Sequence, residues 1–144
     1  MTINKQKSML KIFYSVFLLQ TLLIGMFPWL GLHSKVASQI KSDNRLIIYL
    51  FFTVALLEML VVHFLRKYIF NPKIENLSDS ESDEHEKNST IQSREIITWA
   101  IASSSGIYGM VSLFLGGNII DFYMLWGFAV LSLLYYSPLK NNLL

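Results

Sequence analysis

Four long apolar runs take up most of this chain, and they leave few folds open to it. They extend over residues 9–32, 46–65, 96–117 and 119–137. A helix needs roughly 20 residues to cross the hydrocarbon core of a bilayer, within a range of about 17–25, and all four runs fit. Runs of this length are helices, because buried strands run to only about 4–8 residues. The charged residues inside the runs are Lys11, at the start of the first, Glu58 in the second and Asp121 in the fourth. A helix of a soluble core needs a polar face, and here whole segments lack one. Charged residues make up 15% of the 144, where a soluble domain carries about 25%. The expected fold is all-α, a single polytopic membrane domain over residues 1–144. Its four transmembrane helices would form two hairpins, with the lipid bilayer as the first partner.

The first run also has to be weighed as a signal peptide, with Val36-Ala37-Ser38 as a cleavage site. Its apolar stretch is far longer than the roughly 7–15 residues of a signal-peptide core, so an uncleaved span is expected. Local signals mark the ends of the runs. Tyr14, Trp29, Tyr68, Trp99, Tyr135 and Tyr136 lie near them, where amphipathic rings prefer the headgroup level. Pro28 is expected to kink or end the first span. Pro72 and Pro138 should stop the second and fourth. Gly116-Gly117-Asn118 is a turn signal and makes the last two spans a tight hairpin.

Orientation follows from the basic residues. Lys5, Lys7, Lys11, Arg66, Lys67, Lys73, Lys87, Arg94 and Lys140 fall on one side, and Lys35, Lys41 and Arg45 on the other. Nine against three places both termini and the central loop in the cytoplasm. That loop, residues 71–95, is acidic and polar, and by composition it reads as a disordered linker. Ser78, Ser80 and Ser82 beside its acidic residues are modification candidates. Asp83, His85 and Glu86 lack the spacing of a metal site. The net charge of +2 and the placement of the basic residues at span ends give no nucleic-acid surface. There is no cysteine, so thiolate chemistry is excluded. No cofactor or metal is expected.

Glu58 is the candidate ion-binding residue. An exposed carboxylate deep in a bilayer costs roughly 2.5 kcal/mol or more, so it must be protonated, paired or turned to a wet or protein-lined interior. One reading makes it a proton or cation carrier. The other makes it a neutral acid hydrogen-bonded to a neighbouring helix, for example to the serines of the third span. His63 reads as an interfacial polar residue, Asp121 as an N-cap or first-turn residue favoured by the helix dipole, and Gln20 as an interhelical hydrogen-bonding group. In the third span Ala102, Ser105, Gly109, Ser112 and Gly116 form a stripe of small residues at three- and four-residue spacing. Such stripes let backbones approach closely, here either against the fourth span or against a second copy of the chain.

Ser103-Ser-Ser-Gly-Ile-Tyr-Gly-Met-Val in the third span resembles the second helix of the proteolipid subunit c of rotary ATP synthases. That family has a carboxylate where this chain has Ser103, and serine releases no proton at physiological pH, so the ion-carrying role does not transfer to this position. The layout as a whole, with an Ile-Tyr-Gly motif and a fourth span ending Leu134-Tyr-Tyr-Ser-Pro138, is similar to small uncharacterised bacterial four-helix membrane proteins. That resemblance implies the inner (cytoplasmic) membrane and no particular activity. No paired nucleophile and base is present, so an enzyme is not expected. The expected role is a non-enzymatic accessory protein or subunit of a membrane complex, packing on a membrane-protein partner or on itself through the stripe. The alternative is a small proton- or cation-coupled transporter using Glu58.

Overall fold

The computed structural model describes residues 3–30, 45–77 and 81–137. Val36-Ala37-Ser38, Lys35, Lys41, Ser78, Ser80, Pro138 and Lys140 lie outside the described residues. The described chain is all-helical. Helix α1 spans Ile3–Met26 and gives way around Pro28 to a 3₁₀ turn, Phe27–Leu30. Helix α2 spans Arg45–Phe64 and continues through a π-helical turn, Leu65–Phe70, into the short helix α3, Asn71–Asn76. Helix α4 spans Glu81–Phe114, and α5 spans Ile119–Tyr135. Three helical stretches, Ser8–Trp29, Arg45–Asn76 and Glu84–Phe114, are long and apolar enough to cross a membrane. The last helix is apolar and 17 residues long.

Helix α4 is the hub, and α1, α2 and α5 all pack on it. Its closest partner is α5, through a connection built by local chemistry. Gly116 has a φ of 89°, a left-handed conformation that suits a residue without Cβ. The Gly117 N–H donates to the Ser112 carbonyl at 2.8 Å and the Gly116 N–H to that of Leu113 at 3.2 Å. This is the paired closure of a Schellman motif. Asn118 then caps α5, its Oδ1 accepting from the N–H groups of Ile120 (2.8 Å) and Asp121 (3.0 Å). The Asp121 carboxylate accepts the Asn118 N–H in return, a capping box. Asp121 is therefore the first-turn residue its position suggested.

The first two helices do not form the expected hairpin with each other. Helix α1 docks on α4 and α5, whereas α2 docks chiefly on α4. The reason lies in their inward faces. On α1, Tyr14, Thr21 and Gly25 are buried, and Gly25 lies against the Trp126 ring so closely that a Cβ would sit 2.4 Å from Cε2. Trp126 Nε1 donates to the Thr21 carbonyl at 2.7 Å, which ties α1 to α5. Gln20 points the other way and is exposed. The interhelical polar contact expected of it is made by this backbone carbonyl instead.

At the end where α2 meets the π turn, all four long helices converge on one core. Leu10, Tyr14, Val62, Trp99, Ala102, Leu133 and Tyr136 form it. Trp99 is fully buried. Its ring meets that of Tyr14 edge-on at 5.3 Å, and its Nε1 donates to the Tyr136 carbonyl at 3.0 Å. Trp99, Tyr14 and Tyr136 are thus core residues rather than an interfacial belt, because each ring finds a partner on another helix. Trp29, Tyr68 and Tyr135 remain exposed at helix ends.

The segment expected to be a disordered linker is largely helical. Residues 81–95 are the first turns of α4, and 71–76 form α3. Adding turns to an existing helix costs far less than nucleating one, so α4 can extend through residues that could not fold alone. Long-range contacts then hold the extension: Lys73 pairs with Glu86 at 3.0 Å, and Arg94 Nη1 donates to Asn71 Oδ1 at 2.9 Å. Pro72 does not stop the helix. It occupies the first turn of α3, directly after the π turn.

Candidate functional site

Two polar clusters join α2 to α4, and Glu58 is the centre of the first. It lies on the α4-facing side of α2, half-buried. Ser104 Oγ is 2.5 Å from Glu58 Oε2, and the Tyr108 hydroxyl donates to Glu58 Oε1. The two hydroxyls are four residues apart, which stacks them on one face of α4. Phe51, about two turns from Glu58, lies parallel over the Tyr108 ring at 5.5 Å between centroids. Both carboxyl oxygens are thereby engaged by α4. The sequence pointed to serines there, and it carried no sign that Tyr108 would complete the cluster.

The second cluster was not foreseen. Glu95, 3% exposed, takes two arginines. Arg66 reaches it from the π turn with a bidentate grip, Nη1 to Oε2 at 3.1 Å and Nη2 to Oε1 at 3.2 Å. Arg94 reaches it from its own helix, Nε at 2.9 Å and Nη2 at 2.7 Å from Oε1. Arg66 also donates to Thr98 Oγ1 at 3.2 Å, and its guanidinium carbon lies 5.1 Å from the centre of the Tyr136 ring. The π turn makes this possible. Its closing bond runs from the Asn71 N–H to the Arg66 carbonyl, five residues apart, so both residues face α4. Breaking a buried ion pair by removing one partner costs about 3–5 kcal/mol, so this clasp fixes α2 and its extension firmly on α4. A sequence signal for it existed. Continued towards the N-terminus, the small-residue stripe passes through Thr98 and Glu95 at the same spacing.

The stripe itself faces α5. Ala102, Ser105, Gly109 and Ser112 are buried and Gly116 is half-buried. A Cβ on Gly109 would lie 3.1 Å from the Phe122 carbonyl oxygen and 3.5 Å from Leu125 Cβ. The close approach that the small residues permit is used within the chain. The stripe is covered by α5, one of the two uses its spacing allowed. Ala129 and Ser132 are buried on the α5 side, whereas a Cβ on Gly127 would meet nothing within 4 Å. His63 is exposed on the outer face of α2.

At the opposite end from the clasp, a cavity of about 270 Å³ opens between the start of α2 and the α4–α5 turn, with Arg45, Tyr49, Asn118 and Asp121 in its wall. Asn118 and Asp121 are already spent on capping α5. Among the described residues no three His, Asp or Glu side chains converge as metal ligands. In comparisons with known proteins, no family model, no curated protein and no solved structure matches the chain.

Proposed function

We propose that the chain is an integral membrane protein of four spans, acting as a non-enzymatic accessory protein or subunit of a membrane complex. One observation carries the membrane reading: the outward faces of α1 and α2 are apolar, while small polar residues are buried between helices. Ile12, Val16, Leu19, Leu23 and Met26 stand exposed along α1, and Leu50, Leu57, Leu60, Val61 and Phe64 along α2. Thr21, Ser103, Ser105, Ser112 and Ser132 are meanwhile buried between helices. Water would penalise this arrangement and lipid favours it, since apolar side chains gain nothing by leaving acyl chains and small polar ones pack the interior. At 1.5 Å per residue, the 17 residues of α5 cover about 26 Å, close to the roughly 30 Å hydrocarbon core.

The 34-residue α4 and the stretch Arg45–Asn76 reach about 50 Å each. Both extend past the bilayer at the clasp end. The excess of basic residues assigns that end to the cytoplasm. The non-enzymatic reading is supported by how the polar side chains are used. Glu58, Glu95, Arg66, Arg94 and Trp126 are each committed to holding one helix against another, Arg94 through Asn71. The transporter alternative requires Glu58→Gln to abolish flux in reconstituted vesicles. The engagement of both carboxyl oxygens by α4 favours the fastening role. Purification in mild detergent tests the proposal. A stoichiometric membrane partner or a defined oligomer is expected, and a monomer that carries no partner would sink the subunit reading.

A further inference from the structure

Two oxygen–oxygen contacts meet at Glu58 and a third adjoins them at Ser104, and each needs a hydrogen between its atoms. Ser104 Oγ is 2.5 Å from Glu58 Oε2 and 2.6 Å from the Ile101 carbonyl oxygen. Tyr108 Oη meets Glu58 Oε1. A carbonyl oxygen has no hydrogen to give, and neither does an ionised carboxylate, while each hydroxyl has one. With Glu58 ionised the cluster holds two hydrogens for three contacts, and the Ser104 hydrogen has to be divided between the carboxylate and the Ile101 carbonyl. With Glu58 protonated the count closes. Glu58 donates to Ser104, Ser104 donates to the Ile101 carbonyl, and Tyr108 donates to Glu58 Oε1. We propose that Glu58 is a proton-binding site, held as the neutral carboxylic acid, and that its bound proton fastens α2 to α4.

The surroundings agree with a neutral group. The groups that face Glu58 from α4 are Ser104 and Tyr108, and among the described residues no hydrogen bond or ion pair reaches it from α1 or α5. Arg66 lies eight residues on, about 12 Å along the helix, and is committed to Glu95. His63 is turned outward. Loss of the proton would leave a charge facing apolar surroundings, and the single Ser104 hydrogen would have to serve both the carboxylate and the Ile101 carbonyl. The α2–α4 contact then loosens at mid-helix while the Arg66–Glu95 clasp holds the end.

The test uses the full chain in phosphatidylethanolamine–phosphatidylglycerol vesicles. The inference rests on the membrane reading, so vesicle flotation reports insertion separately and a failure to insert counts against that reading alone. Infrared spectra at neutral pH should show a protonated-carboxyl band that shifts on exchange into heavy water and on ¹³C labelling of glutamate. Glu58→Gln should remove the band, and Ser104→Ala should shift it by deleting the acceptor. The amide of Glu58→Gln keeps one donor for Ser104 and one acceptor for Tyr108, so it should preserve the α2–α4 distance read between spin labels at Leu60→Cys and Ile107→Cys. An inserted, helical protein with no ¹³C-sensitive protonated-carboxyl band at neutral pH would overturn the proposal. So would a band indifferent to Ser104→Ala.

Discussion

Replacing Glu95 by Gln should destabilise the protein by about 3 kcal/mol, at the low end of the cost of a broken buried pair and a loss far larger than an acidic residue at the edge of a polar segment normally carries. The two guanidiniums bond the same carboxylate oxygen, Arg66 at 3.2 Å and Arg94 at 2.7 Å, so their bonded nitrogens lie within about 6 Å of each other. At an effective dielectric of about 20, two unit charges at that separation repel by roughly 3 kcal/mol. Glu95 offsets this repulsion in the native protein. The arginine side chains are only 15% and 10% exposed, so water compensates little once the charge is gone. The amide oxygen of the replacement still accepts one hydrogen bond, which holds the loss near the low end of the roughly 3–5 kcal/mol typical of a broken buried pair. Reversible unfolding in mixed micelles, followed by tryptophan fluorescence, measures it, with Trp99 reporting from the adjoining core. A double-mutant cycle with Arg66→Met isolates the coupling. A loss under about 0.5 kcal/mol, the scale of an exposed ion pair, would refute the clasp.

Further outcomes follow from the same geometry. Gly109→Leu should force α5 away from α4 and cost about 1–3 kcal/mol by overpacking, while Gly127→Ala, with open space around it in α5, should stabilise the protein by about 0.5–1 kcal/mol. Asn118→Ala should lose about 1 kcal/mol by uncapping α5, read in the same unfolding assay. Amide hydrogen exchange over residues 84–95 should be slow and should accelerate in Glu95→Gln. Exchange at the rate of an unstructured peptide in the native protein would restore the disordered linker.

The parts of this fold that can be read from sequence are those determined within one helix or one turn. Uninterrupted apolar runs gave the long helices, Pro28 the end of the first, and Gly116-Gly117-Asn118 the hairpin, because each depends on neighbours a few residues away. The stripe on α4 was visible as a period, and its use against α5 followed from the tight turn. What escaped depends on distant partners. Composition alone makes residues 81–95 look unable to fold, since the side chains that hold them, Arg66, Asn71 and Lys73, come from another helix. Pro72 reads as a stop until the π turn before it is known. Trp99 resembles a headgroup anchor until Tyr14 and Tyr136 are seen to enclose it. Gln20 and Thr21 are adjacent, and only the three-dimensional packing of α1 shows that Thr21 is the one turned inward. Glu58 was singled out by the cost of its charge, but no window of sequence contains both it and the Ser104 and Tyr108 hydroxyls that receive it.

In the proposed arrangement polar groups bind helix to helix while the outward apolar faces of α1 and α2 meet lipid. The chain has no cysteine, so single cysteines placed from Leu56 to Phe64 can be spin-labelled one at a time in vesicles and probed with oxygen and with a water-soluble nickel complex. A helical period is expected, with oxygen reaching labels at Leu57, Leu60, Val61 and Phe64, labels at Glu58 and Val62 shielded from both reagents, and the nickel complex excluded throughout this stretch. Access of the nickel complex to Leu57, Leu60 and Val61 would contradict this arrangement.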